Sequence, residues 1–330
     1  MTNTKQPTQL DIFREMNARQ GLNADKLKDL YRLERGAAGE KMVLDYLDEF
    51  GQENWQIRTN LWLYEYGLFE IDLLLLTQTD IYIFEIKNYN GDFKYLDSQC
   101  YFSDDVISHN PISQTQRAKV NLQNILSAGG MRVDVKGVLL FTGKHSDIDI
   151  QDSVNGIDIL TINQFRKLIY SISADEKRNL DNDTSVLYRQ KILRIIDKAE
   201  RKSPYQPQPL STLEQRNLRR GIKCAKCASF NFNTTRSYII CNCGLHEPRE
   251  MAIVRTICEY GIINFDKDLV ASEVFHFFGG DVSQSTISRY LKHYFIKSEH
   301  KSRLVYINPA TKFEQIINQF TFNKKRYLVF

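Results

Sequence analysis

No apolar run in this sequence approaches the length that crosses a bilayer, about 20 residues in a helix. Runs such as LLLL at 73–76 and VLL at 138–140 suit buried strands instead. The first residues, MTNTKQPTQLDIFREMNARQ, lack the apolar core of a secretory signal. These absences lead us to expect a cytoplasmic protein with no membrane partner. Cysteine is scarce and unevenly placed, six residues in 330, which excludes a disulfide scaffold. Proline is scarce too: of seven, three fall in SPYQPQP at 203–209, which reads as an extended linker. Internal repeats and low-complexity tracts are absent.

What is present can build cores. Hydrophobic residues make up 42% and aromatics 12%, too much for a disordered chain, and the length allows two or three domains. The net charge of +4 hides an asymmetry. Residues 1–200 carry 24 Lys+Arg against 30 Asp+Glu, whereas residues 201–330 carry 20 against 10. A basic C-terminal third suits a polyanion, of which nucleic acid is the usual one.

Along the chain, residues 1–35 read as N-terminal helices without chemistry of their own. GAAGEKMVLDYLDEF then places Met42, Val43, Tyr46, Leu47 and Phe50 at helical spacing. WQIRTNLWLYE, LFEIDLLLLT and IYIFEIKNY read as strands. A looser stretch follows the NGD turn at 90–92. NPISQTQRAKVNLQNILSAG opens at a proline and continues as an amphipathic helix. VDVKGVLLFTG is another strand, and GIDILTINQFRKLIYSI is a strand followed by a helix. This order predicts an α/β fold with a mixed sheet flanked by helices.

Within the third strand, Glu85 and Lys87 project from one face, because residues two apart share a face. In the preceding strand Glu70 and Asp72 do the same. If the two strands pair through the turn near 77–80, Asp72 approaches Glu85. Charged groups at the end of an apolar strand are costly unless they pair or bind an ion. Two carboxylates can supply hard oxygen ligands for Mg²⁺ (or Mn²⁺), which lowers the pKa of a bound water and shields charge on a phosphate. A lysine beside it can position the attacking water.

These residues resemble the PD-(D/E)xK nuclease superfamily and, within it, the nuclease-related domain (NERD) of bacterial proteins. Four pieces carry the resemblance in order: GAAGE at 36–40, FEIDLLLL at 69–76, FEIKNYNG at 84–91 and NPISQ at 110–114. It implies a PD-(D/E)xK-like fold and a role for each matching residue. Asp72 and Glu85 would be the main metal ligands, with the Ile86 carbonyl as a third. Glu40 would bind metal or align the site, Lys87 would be the catalytic lysine, and Gln114 would contact the scissile region. Family members often carry a tryptophan between the NxxG turn and the NPxxQ piece; here the nearest candidates are Tyr101 and Phe102.

Four cysteines remain, Cys224 and Cys227 in CAKC and Cys241 and Cys243 in CNC, thirteen residues apart. Paired cysteines on two turns suit a structural Zn²⁺ site, and the segment resembles a zinc ribbon. The second pair is tighter than the usual knuckle, so His246 could replace one thiolate. Beyond it, REMAIVRTICEYG, LVASEVFHFFGG and SQSTISRYLKHYF read as three helices. KSEHKSRLVYIN follows as a hairpin, so the segment resembles a winged helix-turn-helix. Its candidate nucleic-acid contacts are Ser285, Thr286, Arg289 and Lys292 on the third helix and Arg303 on the wing, with Lys297 and Lys301 nearby.

The sequence thus divides into helices at 1–35, a nuclease-like domain at 36–170, and a helical region with linker at 171–210. A zinc ribbon at 211–248 and a winged-helix-like domain at 249–330 complete it. The expected function is a Mg²⁺-dependent nuclease acting on DNA. Alternatives are a DNA-binding regulatory or scaffold protein with an inactive nuclease fold, and an RNA-processing nuclease. By analogy alone, a homo-oligomer or partner proteins of a defence or mobile-element system would suit this architecture.

Overall fold

The computed structural model describes residues 6–103, 105–144, 147–178, 182–299, 304–311 and 316, with only the backbone at 182–186. The chain forms two compact units, Arg32–Pro204 and the pair Met1–Tyr31 with Tyr205–Phe330. It opens with α1 (Gln9–Ala18) and α2 (Ala24–Phe50). The latter is a single helix through Gly36 and Gly39, where the sequence predicts a separate helix starting near GAAGE.

The unit Arg32–Pro204 continues with β1 (Gln56–Tyr64), β2 (Leu68–Leu76), β3 (Ile81–Lys87), β4 (Phe93–Leu96), β5 (Gln99–Phe102) and β6 (Asp105–Val106). Then come α3 (Pro111–Ala128), β7 (Val135–Phe141), β8 (Ile148–Ile150), β9 (Ile157–Thr161), α4 (Ile162–Arg178) and α5 (Asn182–Ala199). The main sheet has the order β1-β2-β3-β7-β9. Its first three strands are antiparallel, and β3, β7 and β9 are parallel, so the sheet is mixed.

β3 explains the layering. Ile81 and Ile83 bury into one cluster with Leu122, Ile125 and Leu126 of α3 and Ile192 and Ile196 of α5. Tyr82, Phe84 and Ile86 bury into another with Val43 and Leu47 of α2 and Phe165 and Ile169 of α4. A strand covered on both faces needs this nearly continuous apolar run. The crossover from β3 through α3 to the parallel β7 brings the N-terminus of α3 back to the end of β3 that carries Glu85 and Lys87. The looser stretch after β3 forms most of a second sheet, β6-β5-β4-β8. Phe93 and Cys100 there share a cluster with Ile112, Leu139 and Phe141.

The other unit adds α6 (Thr212–Asn217), β10 (Phe232–Thr234), β11 (Tyr238–Cys241), β12 (His246–Pro248) and α7 (Arg249–Ile263). After these come β13 (Leu269–Val270), α8 (Ala271–Phe277), α9 (Gln284–Tyr294) and β14 (Val305–Tyr306). β10, β11 and β12 form an antiparallel three-stranded ribbon. β14 pairs with β13 on one side and, through a Lys297–Tyr306 bridge, with the segment after α9 on the other. α7 is buried nearly all round and forms the centre.

This unit is held by a buried ionic network. Arg19 is fully buried; its guanidinium donates to Glu259 at 2.6 Å and to the carbonyls of Arg219 and Gly221 at 3.0 Å. Lys223 reaches Glu259 at 2.9 Å and Glu15 at 3.4 Å. Arg255 forks onto Glu247 at 2.7 and 2.8 Å and donates to Glu259 at 2.5 Å. Three cations and three carboxylates balance, which is what makes their burial tolerable. The network also explains why the compact units cut the chain elsewhere than the sequence segments at 1–35 and 171–210. Arg19 and Glu259 are 240 residues apart, so no local pattern announces their pairing.

Candidate active site

The site forms where the ladders beside Asp72 stop. The β2–β3 register ends at Leu73 opposite Phe84, so Asp72 lies next along the strand opposite Glu85. On its other side, the β1–β2 register skips the pair Asn60 and Asp72. Ile71 packs in the same cluster as Leu74 and Leu76, while Leu73 and Leu75 pack in the other. Strict alternation would put Ile71 with Leu73, so β2 exchanges its faces at Asp72. Asn60 accommodates the break with φ +51°, a left-handed conformation that asparagine tolerates better than most residues.

Freed from the ladder, Asp72 caps the exposed edge of β3: its Oδ2 accepts the Ile86 N–H at 2.8 Å. The Lys87 carbonyl accepts from the Thr142 N–H at 2.9 Å, so the Lys87 backbone faces β7. Backbone direction alternates along a strand, and the Ile86 carbonyl therefore faces the gap beside Asp72.

Glu85 is 4% exposed, and the Lys87 ammonium lies 2.5 Å from its Oε1. The two form an ion pair in a largely buried setting. Burial, with Asp72 beside it, pushes the Glu85 carboxyl up to about 8 against the pull of Lys87. Burial, with Asp72 and Glu40 nearby, pushes Glu70 up to about 7. Burial also raises Asp72 and Glu40. Burial disfavours the charge on Lys87, but Glu85 and Asp72 outweigh it and raise its pKa. Four carboxyls thus crowd around one lysine in a half-dry corner, an arrangement short of positive charge.

The helices close in on this corner. A Cβ on Gly39 would lie 2.8 Å from Thr142 Oγ1 and 2.9 Å from Asn88 Cβ, so only glycine lets α2 approach the ends of β3 and β7 this closely. Arg35 and Asn88 clamp the approach reciprocally, each donating to the other's carbonyl at 2.8 Å. Glu40 is carried in beside them and accepts from Asn60 Nδ2 at 3.3 Å. Residues 35–142 match the nuclease-related domain family, NERD. The matched stretch begins at the residue that clamps Asn88 and ends at the one that abuts Gly39. No curated protein and no solved structure matches the chain.

The NERD domain therefore contains Glu40, Asp72, Glu85, Ile86, Lys87 and Gln114 together. Gln114 sits on the first turn of α3, where Asn110 caps the helix by accepting the Ser113 N–H at 3.0 Å. Of the two aromatic candidates after the NxxG turn, Phe102 packs on Tyr89 with ring centres 4.9 Å apart. The sequence reading missed Asn60, Arg35, Asn88 and Thr142. Asn60 had a signal, an asparagine inside a strand pattern that disfavours it.

Outside the NERD domain, Cys224, Cys227, Cys241 and Cys243 gather with all four sulfurs within 4.8 Å of one another. Cys224 and Cys243 are 3.6 Å apart and Cys227 and Cys241 3.5 Å, too far for disulfides. Four thiolates about 2.3 Å from one Zn²⁺ are about 3.8 Å apart, so the group fits that ion. The Lys226 N–H points at Cys224 Sγ at 3.4 Å, and the Leu245 N–H helps hold the Cys243 thiol down at about 7. Such N–H groups stabilise thiolates. Among the described residues this is the single cluster of three or more Cys, His, Asp or Glu donors that gathers so tightly. His246 stands outside it, in register with Ile240 on β12.

On α9, Ser285, Arg289 and Lys292 are exposed and Thr286 is half-buried, with Ser283 capping the helix. Arg303 and Lys301 lie outside the described residues. No described helix is long and apolar enough to cross a membrane.

Proposed function

We propose that this protein is a metal-dependent nuclease that hydrolyses phosphodiester bonds of DNA. The observation that carries the reading is the buried Glu85 carboxylate, opposite Asp72 at the open end of β3 and with the Lys87 ammonium against its Oε1. Mg²⁺ (or Mn²⁺) would be held by Asp72, Glu85 and the Ile86 carbonyl, with Glu40 completing or aligning the set. Oxygen donors of this kind suit a hard cation that keeps several waters. When bound, the ion supplies an acidified water and charge neutralisation at the phosphate. The chain's own residues do the rest. Lys87, held against Glu85, orients the attacking water and donates to the phosphate as charge grows. Gln114 contacts the scissile region from the first turn of α3. Asp72, by fixing the Ile86 N–H, keeps the edge of β3 open.

The C-terminal unit holds the nucleic acid in this reading. Three helices followed by β14, which bridges back to Lys297 after α9, have the plan of a winged helix, and Ser285, Arg289 and Lys292 are exposed on its third helix with Thr286 half-buried beside them. A structural Zn²⁺ on the four cysteines holds the ribbon. Incubation of linear and circular DNA with and without Mg²⁺ tests the proposal: the wild-type chain should cut, and Lys87→Ala should bind DNA without cutting. Metal-dependent cleavage that persists in Lys87→Ala would sink it.

A further inference from the structure

The unit that carries the ribbon contains a groove of about 550 Å³ beside α9, lined by Arg236, Tyr238, Arg249, Glu250, Arg289 and Tyr290 among others. We propose that it binds single-stranded nucleic acid, with guanidiniums on the phosphates and tyrosine rings under the bases. The proposal deepens the reading above, on which the C-terminal unit's role in holding nucleic acid rests: it joins Thr286 and Arg289 of α9 to the ribbon turn and the start of α7 in one site.

Charge is the first argument. In this unit the buried cations Arg19, Lys223 and Arg255 are all matched by carboxylates. Arg236, Arg249 and Arg289 have no such match among the described residues. The acid that lines the groove, Glu250, accepts the Tyr294 hydroxyl at 2.8 Å. Three unmatched guanidiniums around one concavity suit a row of phosphates, which arginine grips with paired N–H donors.

The aromatic rings decide the form of the strand. Tyr238 is 47% exposed at the start of β11, and Tyr290 on α9 lies under the Arg289 guanidinium, 5.2 Å from its ring centre. Such rings stack on unpaired bases, whose flat faces a duplex keeps covered. The walls are fixed before any ligand arrives. The Arg249 N–H donates to the Ser237 carbonyl at 2.8 Å, pinning the ribbon turn to the start of α7, while Tyr294 pins α9 to the next residue. A groove of this size admits a strand with its bases turned in.

Fluorescence anisotropy of the full chain tests this, using labelled oligo-dT and a hairpin duplex of equal length without added divalent metal. Arg236→Ala/Arg289→Ala should weaken oligo-dT binding at least tenfold and reduce the slope of log K against log salt by about 1.4, two phosphate contacts' worth. Tyr238→Ala should weaken oligo-dT at least about fivefold and spare the duplex, while Tyr238→Phe keeps the affinity. Unchanged zinc content and melting point establish that the variants fold. Wild-type affinity for oligo-dT in these variants, or an equal loss for the duplex, overturns the proposal. Absence of hydrolysis by the wild-type chain would overturn the active-site reading alone, because this binding is measured without cleavage.

Discussion

Glu85 is a buried acid whose protonation the fold shifts upward. In the unfolded chain it titrates near 4.5, and in the folded protein at about 8. The folded state therefore holds the proton more tightly. The stability this confers is complete below 4.5 and is lost as pH rises through about 8. The melting point of the metal-free protein should fall between pH 5 and pH 8.5, a window that follows from these pKa values. Glu85→Gln should flatten that fall; an unchanged slope in calorimetry would show that Glu85 is not the titrating group. Gly39 matters for the opposite reason, having no side chain. Gly39→Ala drives a methyl group against Thr142 and Asn88, and should cost about 1–3 kcal/mol in urea denaturation and lower cleavage through Glu40. Asp72, Glu85 and Lys87 were legible because a charged pair two apart at the end of an apolar strand is conspicuous. The face exchange at Asp72 was not, since it arises from pairing on both sides of β2 and leaves no mark in a local window.

At the scale of elements, helices with one apolar face and strands buried on both were readable. α3, α9 and β3 fall where their periodicity puts them. The second sheet was not, because its strands are two to four residues long and mix polar with apolar residues. α1 is the clearest case of hidden information. Its apolar face suggests only that it packs somewhere; its place is fixed by Arg19 inserted beneath Phe277, 4.1 Å from the ring centre, and bonded to Glu259. Burial alone would raise the Glu259 pKa, but Arg255, Lys223 and Arg19 hold it down at about 2. That contribution to stability is present above 4.5 and lost as pH falls toward 2. Glu259→Gln leaves three cations with two carboxylates, and should destabilise this unit by about 3–5 kcal/mol. Chemical denaturation at pH 7 checks the magnitude, and repetition at pH 3 should show a smaller difference.

For the whole molecule, charge divides along the chain. The acidic first 200 residues contain the NERD domain, and the basic remainder contains the cysteine cluster and the arginine groove. Each compact unit has its own core, so metal should act on them separately. The protein should bind one zinc per chain by mass spectrometry, and Cys241→Ser should lose it. In calorimetry a zinc chelator should lower the transition of the cysteine-bearing unit by many degrees and leave the sheet's transition in place. A single transition that ignores the chelator would argue against a structural zinc.

The discontinuity of that unit also sets a timetable. On the ribosome Arg19 emerges 240 residues before Glu259. At about 5–20 residues per second, α1 waits on the order of tens of seconds for its counter-ion. Meanwhile every strand of the main sheet has been made. The nascent chain can complete its main sheet while the unit that carries the cysteine cluster is still an unclosed ring, and a message truncated before α7 would yield the first without the second.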